Sequence, residues 1–277
     1  MTGPDKAQMH DRISVNNICF PGANFAQLGD HWRELGAGRV SITSSALAGR
    51  LADAQAALAT GDYRVETMTH VFIRGHLSSD EADWEAPRDR LCQVVQDART
   101  IGAQSIYLLT GGHGTLTWEA AAEAFCAAVS PCAEAAREAG IRLLIENTSP
   151  FHADIHIAHS LRDTLALAEI AGLGVCIDLP NCWAEAGLEA TIRKAIDRCG
   201  VVQVGDYVYG DRQAPCRAVP GDGNIPLRRI VGWLLEAGYA GVFDLELIGP
   251  RIDAEGHLPA VRRAAENLGV ILTGLGA

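Results

Sequence analysis

The sequence lacks the apolar run of about 20 residues that a membrane-spanning helix needs. Its longest apolar-looking tract, residues 117–139, is rich in alanine but carries four glutamates and one arginine. We therefore interpret this tract as a helix outside any membrane. The N-terminal residues also lack an apolar core, so we expect no signal peptide and a cytoplasmic location.

Positive charge is scarce as well. Lysine and arginine total 23 residues against 34 aspartates and glutamates, which gives a formal net charge of −11. Because an acidic chain repels phosphate backbones, we expect no nucleic-acid partner. The eight cysteines include no CxxC pair. A chain of this size buries a large core without disulfides, so we expect reduced, mostly buried thiols.

Short β-type runs alternate with helical patterns along the whole chain. The predicted strands are Ile13–Phe20, Arg39–Thr43, Tyr63–Val71, Ser105–Leu109, Ile141–Asn147, Gly174–Leu179, Val201–Tyr207 and Gly241–Ile248. The predicted helices cover residues 27–36, 45–59, 87–101, 117–139, 160–171, 188–198, 226–238 and 258–268. About eight strand-then-helix units predict an α/β fold, the (β/α)8 TIM barrel, as one domain over residues 1–277. Residues 1–12 are expected to form a flexible N-terminal tail.

A doubly wound open sheet is the alternative fold, but no GxGxxG motif follows the first strand. Two predicted strand-to-helix loops are long, Arg74–Ala86 and Val208–Ile225. A barrel places both at its C-terminal face, where active sites form. The TGGHG sequence at residues 110–114 is interpreted as a strand-to-helix turn, with a phosphate-binding loop as the alternative.

Four predicted strands carry a polar residue at the end of an apolar run: Glu146, Asp178, Gln203 and Glu246. Side chains two positions apart share one face of a strand, so these four are expected to converge on the barrel axis. Carboxylates gathered at one barrel mouth repel one another unless a cation or a proton compensates. Three carboxylates and an amide oxygen are hard ligands that suit Mg²⁺ or Mn²⁺. The alternative is four strand-end side chains that hydrogen-bond nearby loops.

Five motifs in the C-terminal half carry a resemblance to a known family: IEN at 145–147, CIDLPN at 176–181, VQVGD at 202–206, CRAVPGDGNIP at 216–226 and DLELIG at 244–249. With them the chain resembles the sugar-phosphate isomerase/epimerase superfamily of xylose-isomerase-like TIM barrels. It is nearest to the hydroxypyruvate-isomerase-like and ketose-epimerase branches. The resemblance implies one divalent metal ion held by Glu146, Asp178, Gln203 and Glu246. Mn²⁺ or Mg²⁺ is expected first, with Co²⁺ or Zn²⁺ as alternatives.

The chain departs from the family pattern at three positions. Many relatives carry histidine at the positions of Gln203 and Asn181, and glutamate at the position of Asn224. Glutamine at the first position is known in the hydroxypyruvate-isomerase-like and dehydroshikimate-dehydratase-like branches. The departures leave the family assignment in place and the substrate open.

The resemblance implies proton transfer next to a carbonyl. We expect a divalent-metal-dependent isomerase or epimerase of a small polyhydroxy carbonyl compound, a ketose or a hydroxy-keto acid. Glu146 and Glu246 would act as acid and base around a metal-stabilised enediolate, and the sequence does not distinguish which is the first base. The alternative is a metal-dependent lyase or dehydratase of the dehydroshikimate-dehydratase or C-glycoside-cleaving type.

Five further residues are expected to contact the substrate: Arg217, His70, His113, Asn181 and Trp183. Arg217 lies in a long loop after a strand and suits a carboxylate, phosphate or hydroxyl group. His70 and His113 follow predicted strands, and Trp183 lies in a loop.

Two further loop residues have weaker assignments. Trp84 is a second candidate for an apolar wall or lid. Asp206 has the opposite parity to Gln203 and is expected to anchor its loop.

Other functions are alternatives to the expected isomerase or epimerase. His152, His156 and His159 have a spacing that suits zinc on a helix face, although Ser160 marks the expected helix start, so a loop is favoured. The endonuclease IV branch shares this barrel but needs more histidines and basic loops. A non-catalytic binding barrel would not need all four oxygen ligands. A homo-oligomer is possible, and the sequence shows no specific interface.

Overall fold

Eight short parallel strands close into a barrel in the computed structural model, which describes residues 8–277. Each strand pairs with the next along the chain, and the last pairs with the first. The strands are β1 Ile13–Asn16, β2 Arg39–Thr43, β3 Arg64–Val71, β4 Ser105–Leu109, β5 Arg142–Glu146, β6 Gly174–Asp178, β7 Cys199–Val204 and β8 Phe243–Leu245. The predicted TIM barrel is therefore confirmed.

Helices cover the outside of the barrel and connect its strands. They are α1 Phe25–Leu35, α2 Ser44–Leu47, α3 Leu51–Leu58, α4 Glu85–Thr100, α5 Trp118–Glu138, α6 Leu161–Ala171, α7 Leu179–Cys182, α8 Leu188–Ala195, α9 Leu227–Glu236, α10 Pro250–Glu255 and α11 His257–Thr273. Single 3₁₀ turns lie at Asn17–Cys19, Glu81–Trp84, Pro150–His152 and Ile196–Arg198. Among residues 8–277, no helix has the length and apolar character needed to cross a bilayer.

Several element boundaries differ from the predictions for local reasons. β1 stops at Asn16 because the Asn16 side chain accepts a hydrogen bond from Ile18 N and starts a 3₁₀ turn. The predicted helix 45–59 is two helices, because Gly49 takes a left-handed conformation with φ +69°. β8 is only three residues long, so Glu246 lies one residue beyond it.

The predicted N-terminal tail is described only in part. Residues 1–7 lie outside the described residues. The Arg12 guanidinium donates to Tyr239 O at 2.8 Å and to Gly241 O at 2.7 Å. Met9 N donates to Gly36 O, and Phe243 N at the start of β8 donates to Arg12 O. Residues 9–12 are therefore bonded to the rest of the chain, and the predicted flexible tail does not extend to residue 12.

The barrel interior has one apolar half and one polar half. Tyr107, Leu144, Cys176 and Val201 come from β4 to β7 and form a separate buried cluster inside the barrel. On the other side, β1, β2 and β8 point polar side chains inward, and these are fully or almost fully buried: Ser14, Asn16, Ser41 and Asp244. The predicted parity is confirmed, because Leu144 and Cys176 lie one layer below Glu146 and Asp178.

All eight cysteines are free thiols, and five of them are buried, in agreement with the prediction. The long loops after β3 and β7 also lie where the sequence places them, at the C-terminal ends of the strands.

Close packing in the apolar half predicts sensitivity at Gly174. A Cβ atom there would lie 2.4 Å from Leu144 Cδ2 and 2.9 Å from Arg198 O. We expect Gly174→Ala to lower the free energy of unfolding by about 1–3 kcal/mol, because overpacking forces neighbours out of their rotamers. Urea denaturation measures this change.

Gly38 is the matched control, since a Cβ atom there meets nothing within 4 Å. Gly38→Ala should leave the urea midpoint nearly unchanged. Equal midpoints for the two variants would contradict the packing described for β5 and β6.

Candidate active site and metal centre

Three carboxylates meet at the C-terminal mouth of the barrel. Glu146 ends β5, Asp178 ends β6 and Glu246 follows β8, and one oxygen of each lies within 4.8 Å of the others. Among the described residues, this is the one group of three or more histidine, cysteine or acidic side chains with such spacing. The structure therefore brings together the three carboxylates that the sequence singled out.

Arg217 supplies the nearby positive charge. Its guanidinium donates to Asp178 Oδ2 and lies 3.8 Å from Glu246 Oε2. Burial raises the pKa of Glu146 well above its usual value, and Glu246 and Asp178 raise it further, while Arg217 opposes them. Burial also raises the pKa of Glu246, to about 8, against the opposing effect of Arg217. One guanidinium therefore does not compensate three buried carboxylates.

The residues present fit a divalent cation. Three ionised carboxylates and one guanidinium leave two negative charges, which is the charge of one such ion. Asp178 Oδ1 is buried and has no hydrogen-bond partner within residues 8–277. Each carboxylate oxygen lies within 4.8 Å of the other two, and two oxygens that bind one ion at ~2.1 Å lie at most ~4.2 Å apart. Small side-chain rotations would therefore bring all three oxygens to one ion. Oxygen donors alone favour Mg²⁺ or Mn²⁺ over a metal that prefers thiolate.

Gln203, the fourth predicted ligand, lies beside the three carboxylates with its amide nitrogen facing them. Nε2 donates to Glu246 Oε2 at 2.9 Å and to the Tyr107 hydroxyl at 3.1 Å. Turning the amide by a half rotation exchanges its nitrogen and oxygen, which have nearly the same shape. Oε1 would then face Glu246 and accept the Tyr107 proton. Its role as a metal ligand stays a prediction, and Tyr107 is the residue that would orient it.

A fourth buried carboxylate, Asp244, lies one layer below Glu246. It accepts hydrogen bonds from Ser41 Oγ at 2.7 Å and from Asn16 Nδ2 at 3.0 Å. Burial raises its pKa to about 6, although these donors act to lower it. Sequence analysis missed Asp244. The DLE sequence does indicate its position, because residues 244 and 246 are two apart and therefore point to the same side, into the barrel.

The histidines after β5 form no zinc site. His156 is fully buried, and its Nδ1 accepts from Thr110 N at 2.9 Å while Nε2 donates to Glu146 O at 2.7 Å. Burial lowers its pKa to about 3, so the ring is neutral at physiological pH. The zinc alternative is therefore wrong, since His156 joins the ends of β4 and β5 and holds the Glu146 backbone.

Asp206 anchors the loop that carries Arg217. Its carboxylate accepts hydrogen bonds from four backbone N–H groups at 2.8–3.0 Å, those of Tyr207, Gly221, Gly223 and Ile225. A Cβ atom at Gly223 would lie 2.2 Å from Asp206 Oδ1, which explains the second glycine of the PGDG sequence. The expected anchoring role of Asp206 agrees with this geometry.

Asn224, which stands where many relatives have glutamate, has a role in the same loop. Its Oδ1 accepts a hydrogen bond from Tyr209 N at 2.9 Å. This contact fixes the start of the loop after β7 against its end.

A cavity of about 760 Å³ opens above the carboxylates and is lined by Glu146 and Glu246. Three of the predicted substrate residues also line it: Arg217, Asn181 and Trp183. Asn181 donates to Asp178 Oδ2. The cavity is therefore continuous with the carboxylate cluster and large enough for a drug-sized ligand.

His70 lines the same cavity from the end of β3. Its Nδ1 is 2.9 Å from Ser44 Oγ, and its buried Nε2 has no partner in the described part of the chain. Burial lowers its pKa to about 4, so it faces the cavity as a neutral ring with one free nitrogen.

Two predicted residues lie elsewhere. His113 is exposed and does not line the cavity. Backbone N–H groups of the TGGHG turn donate to nearby carbonyls. Gly111 N donates to Ile155 O and Gly112 N to Gly75 O, so no phosphate cradle forms. Trp84 is buried with Nε1 donating to Ser78 O at 2.8 Å, and it packs on Arg88 instead of forming a lid.

The class of this protein follows from its match to a family of TIM barrels. The model of the xylose isomerase-like TIM barrel family matches residues 23–272, and the chain belongs to this family. No functionally curated protein matches the chain at a significant level of sequence similarity.

Solved structures share the fold at low sequence identity. A protein from Sinorhizobium meliloti 1021 superposes with a TM-score of 0.83 at 22% identity, covering 93% of this chain and 97% of that one. The IolI protein with a bound zinc atom gives a TM-score of 0.80 at 14% identity, covering 95% and 98%. The 3-keto-D-glucoside 4-epimerase YcjR from E. coli gives 0.75 at 14% identity, covering 93% and 100%. At these identities the likeness establishes the fold alone.

The anchoring role of Asp206 predicts a loss of stability in Asp206→Asn. The variant amide would face backbone N–H groups with a second donor and leave some of them unpaired. We expect the free energy of unfolding to fall by roughly 2–4 kcal/mol, measured by urea denaturation. Asp222→Asn, which removes an exposed pair with Arg263, should cost less than about 1 kcal/mol. A similar small loss in Asp206→Asn would contradict the anchoring role.

The raised pKa of Glu246 predicts a pH dependence of stability in metal-free protein. The folded state binds this proton more tightly than the unfolded state, since the pKa rises from 4.5 to about 8. The stabilisation is complete below the unfolded pKa and is lost as the pH rises toward 8. Unfolding free energies between pH 5 and 8 should therefore fall in wild type and fall less in Glu246→Gln. Parallel curves for the two proteins would contradict this assignment.

Proposed function

We propose that this protein is a divalent-metal-dependent isomerase or epimerase of a small polyhydroxy carbonyl compound. The observation that carries the proposal is the cluster of Glu146, Asp178 and Glu246 at the barrel mouth, continuous with a large cavity. The first two are buried, and the Glu246 side chain is 12% exposed. Buried like charges are costly without a compensating ion, so such a cluster is retained for a function.

Asp178 and Gln203 would hold the ion together with the two glutamates. When bound, a divalent ion would supply Lewis-acid polarisation of a carbonyl, which lowers the pKa of the neighbouring C–H group. Mn²⁺ or Mg²⁺ fits the oxygen donors, and the zinc atom in the IolI structure keeps Zn²⁺ open.

The two glutamates would move the protons. Glu146 and Glu246 reach the cavity from β5 and β8, three strands apart around the barrel, so a substrate between them presents different faces to each. One would remove a proton from the carbon next to the carbonyl, and the other would return a proton. A carboxylate can accept or return a proton at a carbon next to a polarised carbonyl, which is the general acid–base role proposed for each glutamate.

Arg217 and His70 would orient the substrate. Arg217 bonds Asp178, so its guanidinium lies beside the ion site and can also contact a substrate hydroxyl. His70 lines the cavity, and its buried Nε2 has no hydrogen-bond partner among the described residues. The epimerase activity named for a structural neighbour, 3-keto-D-glucoside 4-epimerase, supports a reaction of this class.

The test is hydrogen–deuterium exchange at the carbon next to the carbonyl. Metal-free and Mn²⁺-loaded protein would be incubated in D₂O with a panel of ketoses, 3-keto-glucosides and hydroxy-keto acids. We expect Mn²⁺-dependent deuterium incorporation, reduced about 10²- to 10⁴-fold in Glu146→Gln and in Glu246→Gln. Product analysis in the same samples shows whether water or another group is eliminated.

Glu169→Gln is the control, because Glu169 is exposed on α6 and does not line the cavity. It should retain wild-type exchange. Exchange that survives in both glutamate variants would contradict the assigned acid and base, and no Mn²⁺ binding by wild type would contradict the metal site.

A further inference from the structure

We propose that the cavity contains a subsite for a planar aromatic group of the substrate: Trp183 and Tyr207 line it, and Tyr209 packs against both of these rings. This inference rests on the proposed function and names the chemical class of its substrate. The substrate would be an aryl-substituted polyhydroxy compound, with its carbonyl part at the carboxylates and its aryl part on these three rings.

The three rings form one cluster. The Trp183 ring centroid lies 6.0 Å from that of Tyr209 and 6.3 Å from that of Tyr207, and the two tyrosine centroids are 6.4 Å apart. Both tyrosine rings are tilted by only about 35° to the Trp183 ring. These separations are typical of interacting aromatic pairs, so the cluster presents a joint π-surface.

The cluster is held in place before any ligand binds. The Tyr207 hydroxyl donates to Asp211 O at 2.6 Å, and the Asp211 carboxylate forms a bidentate pair with Arg251. Tyr209 N donates to Asn224 Oδ1, which fixes the backbone that carries the third ring. A ring that is already held, as Tyr207 is, lowers the entropic cost of binding, because fewer side chains must be immobilised.

The surface lies next to the reacting centre. Trp183 N donates to Leu179 O, so the helical turn that begins after Asp178 extends to Trp183. Five residues at ~1.5 Å each place the Trp183 backbone about 7.5 Å along this turn from Asp178. That distance is about the width of one sugar ring, so a substituent on a sugar held at the carboxylates would reach the rings.

Part of the cluster is unpaired and open to a ligand. Tyr209 is 65% exposed. It does not line the cavity itself, but it packs on Trp183 and Tyr207, which do. Phe151, on another part of the cavity wall, is 71% exposed. Trp183 Nε1 makes no hydrogen bond with residues 8–277. Exposed aromatic side chains grouped around one cavity indicate a binding surface.

Paired arginines and a nearby carboxylate favour a neutral group over a phosphate at the cluster. Arg217 and Arg251 form ion pairs with Asp178 and Asp211. Glu185 adds a further carboxylate to the wall beside Trp183. The exposed Arg74 and Arg212 also line the cavity, so a phosphate ester is the competing ligand that the test must include.

The experiment compares three probes that share one sugar: phenyl β-D-glucopyranoside, methyl β-D-glucopyranoside and glucose 6-phosphate. Isothermal titration and saturation-transfer NMR would measure binding to Mn²⁺-loaded wild type. We expect the phenyl glucoside to bind at least ~5- to 10-fold more tightly than the methyl glucoside, because aromatic contacts add to area burial. Saturation should reach the phenyl protons more strongly than the sugar protons.

Two variants assign the preference to the cluster. Trp183→Leu and Tyr209→Ala should each reduce the ratio of phenyl-glucoside to methyl-glucoside affinity toward one. Because Tyr209 is exposed, its substitution should leave the fold intact. Ile170→Ala is the control, since Ile170 is 62% exposed on α6 and does not line the cavity. It should keep the wild-type ratio.

Three results would overturn the subsite: equal affinities for the two glucosides, tightest binding of glucose 6-phosphate, or no binding of the phenyl glucoside up to its solubility limit. A ratio that is unchanged in Trp183→Leu and Tyr209→Ala would do the same. Failure of the proposed function has a different signature. In that case the phenyl preference persists while deuterium exchange is absent from every carbonyl compound tested.

Discussion

Mutual repulsion among three buried carboxylates is the constraint on which the rest of this site depends. Glu146, Asp178 and Glu246 converge because parallel strands bring their C-terminal ends to one mouth. Burial removes the water that would screen them, so their pKa values rise unless a cation replaces the protons. We therefore propose that the site exchanges protons for a divalent ion, an exchange that would connect metal binding with acid–base chemistry.

The surrounding structure holds these carboxylates where repulsion would otherwise separate them. His156 bonds the Glu146 backbone, and the strand below carries Leu144 into an apolar layer. Asp206 folds the loop after β7 so that Arg217 bonds Asp178. His156 and Asp206 are themselves held by hydrogen bonds, so they restrict the carboxylates and Arg217 to one geometry. Such a fixed geometry is what precise proton transfer requires.

The sequence predicts the architecture well because the barrel repeats one local pattern. Alternation with a period of two places Glu146, Asp178 and Glu246 on the barrel axis, and the structure agrees. The same reasoning fails for His113, since a position after a strand identifies a loop without giving the direction of a side chain. Asp244 and Tyr107 were missed because their partners lie on strands distant in sequence.

Loop conformation is the other part that sequence analysis could not provide. Trp84 and Trp183 both follow strands by several residues, but only Trp183 lines the cavity. Trp84 is held away by a hydrogen bond to Ser78 O, a contact that no spacing in the sequence indicates. The pairing of Asn224 with Tyr209 is of the same kind, and it turns a departure from the family pattern into a loop contact.

Calorimetric counting of protons tests the central claim most directly. Mn²⁺ would be titrated into metal-free wild type near pH 7 in two buffers with different ionisation enthalpies. The account predicts one site and the release of at least one proton for each ion bound, because the ion displaces protons from the buried carboxylates. Binding with no proton release, or no binding at all, would contradict it.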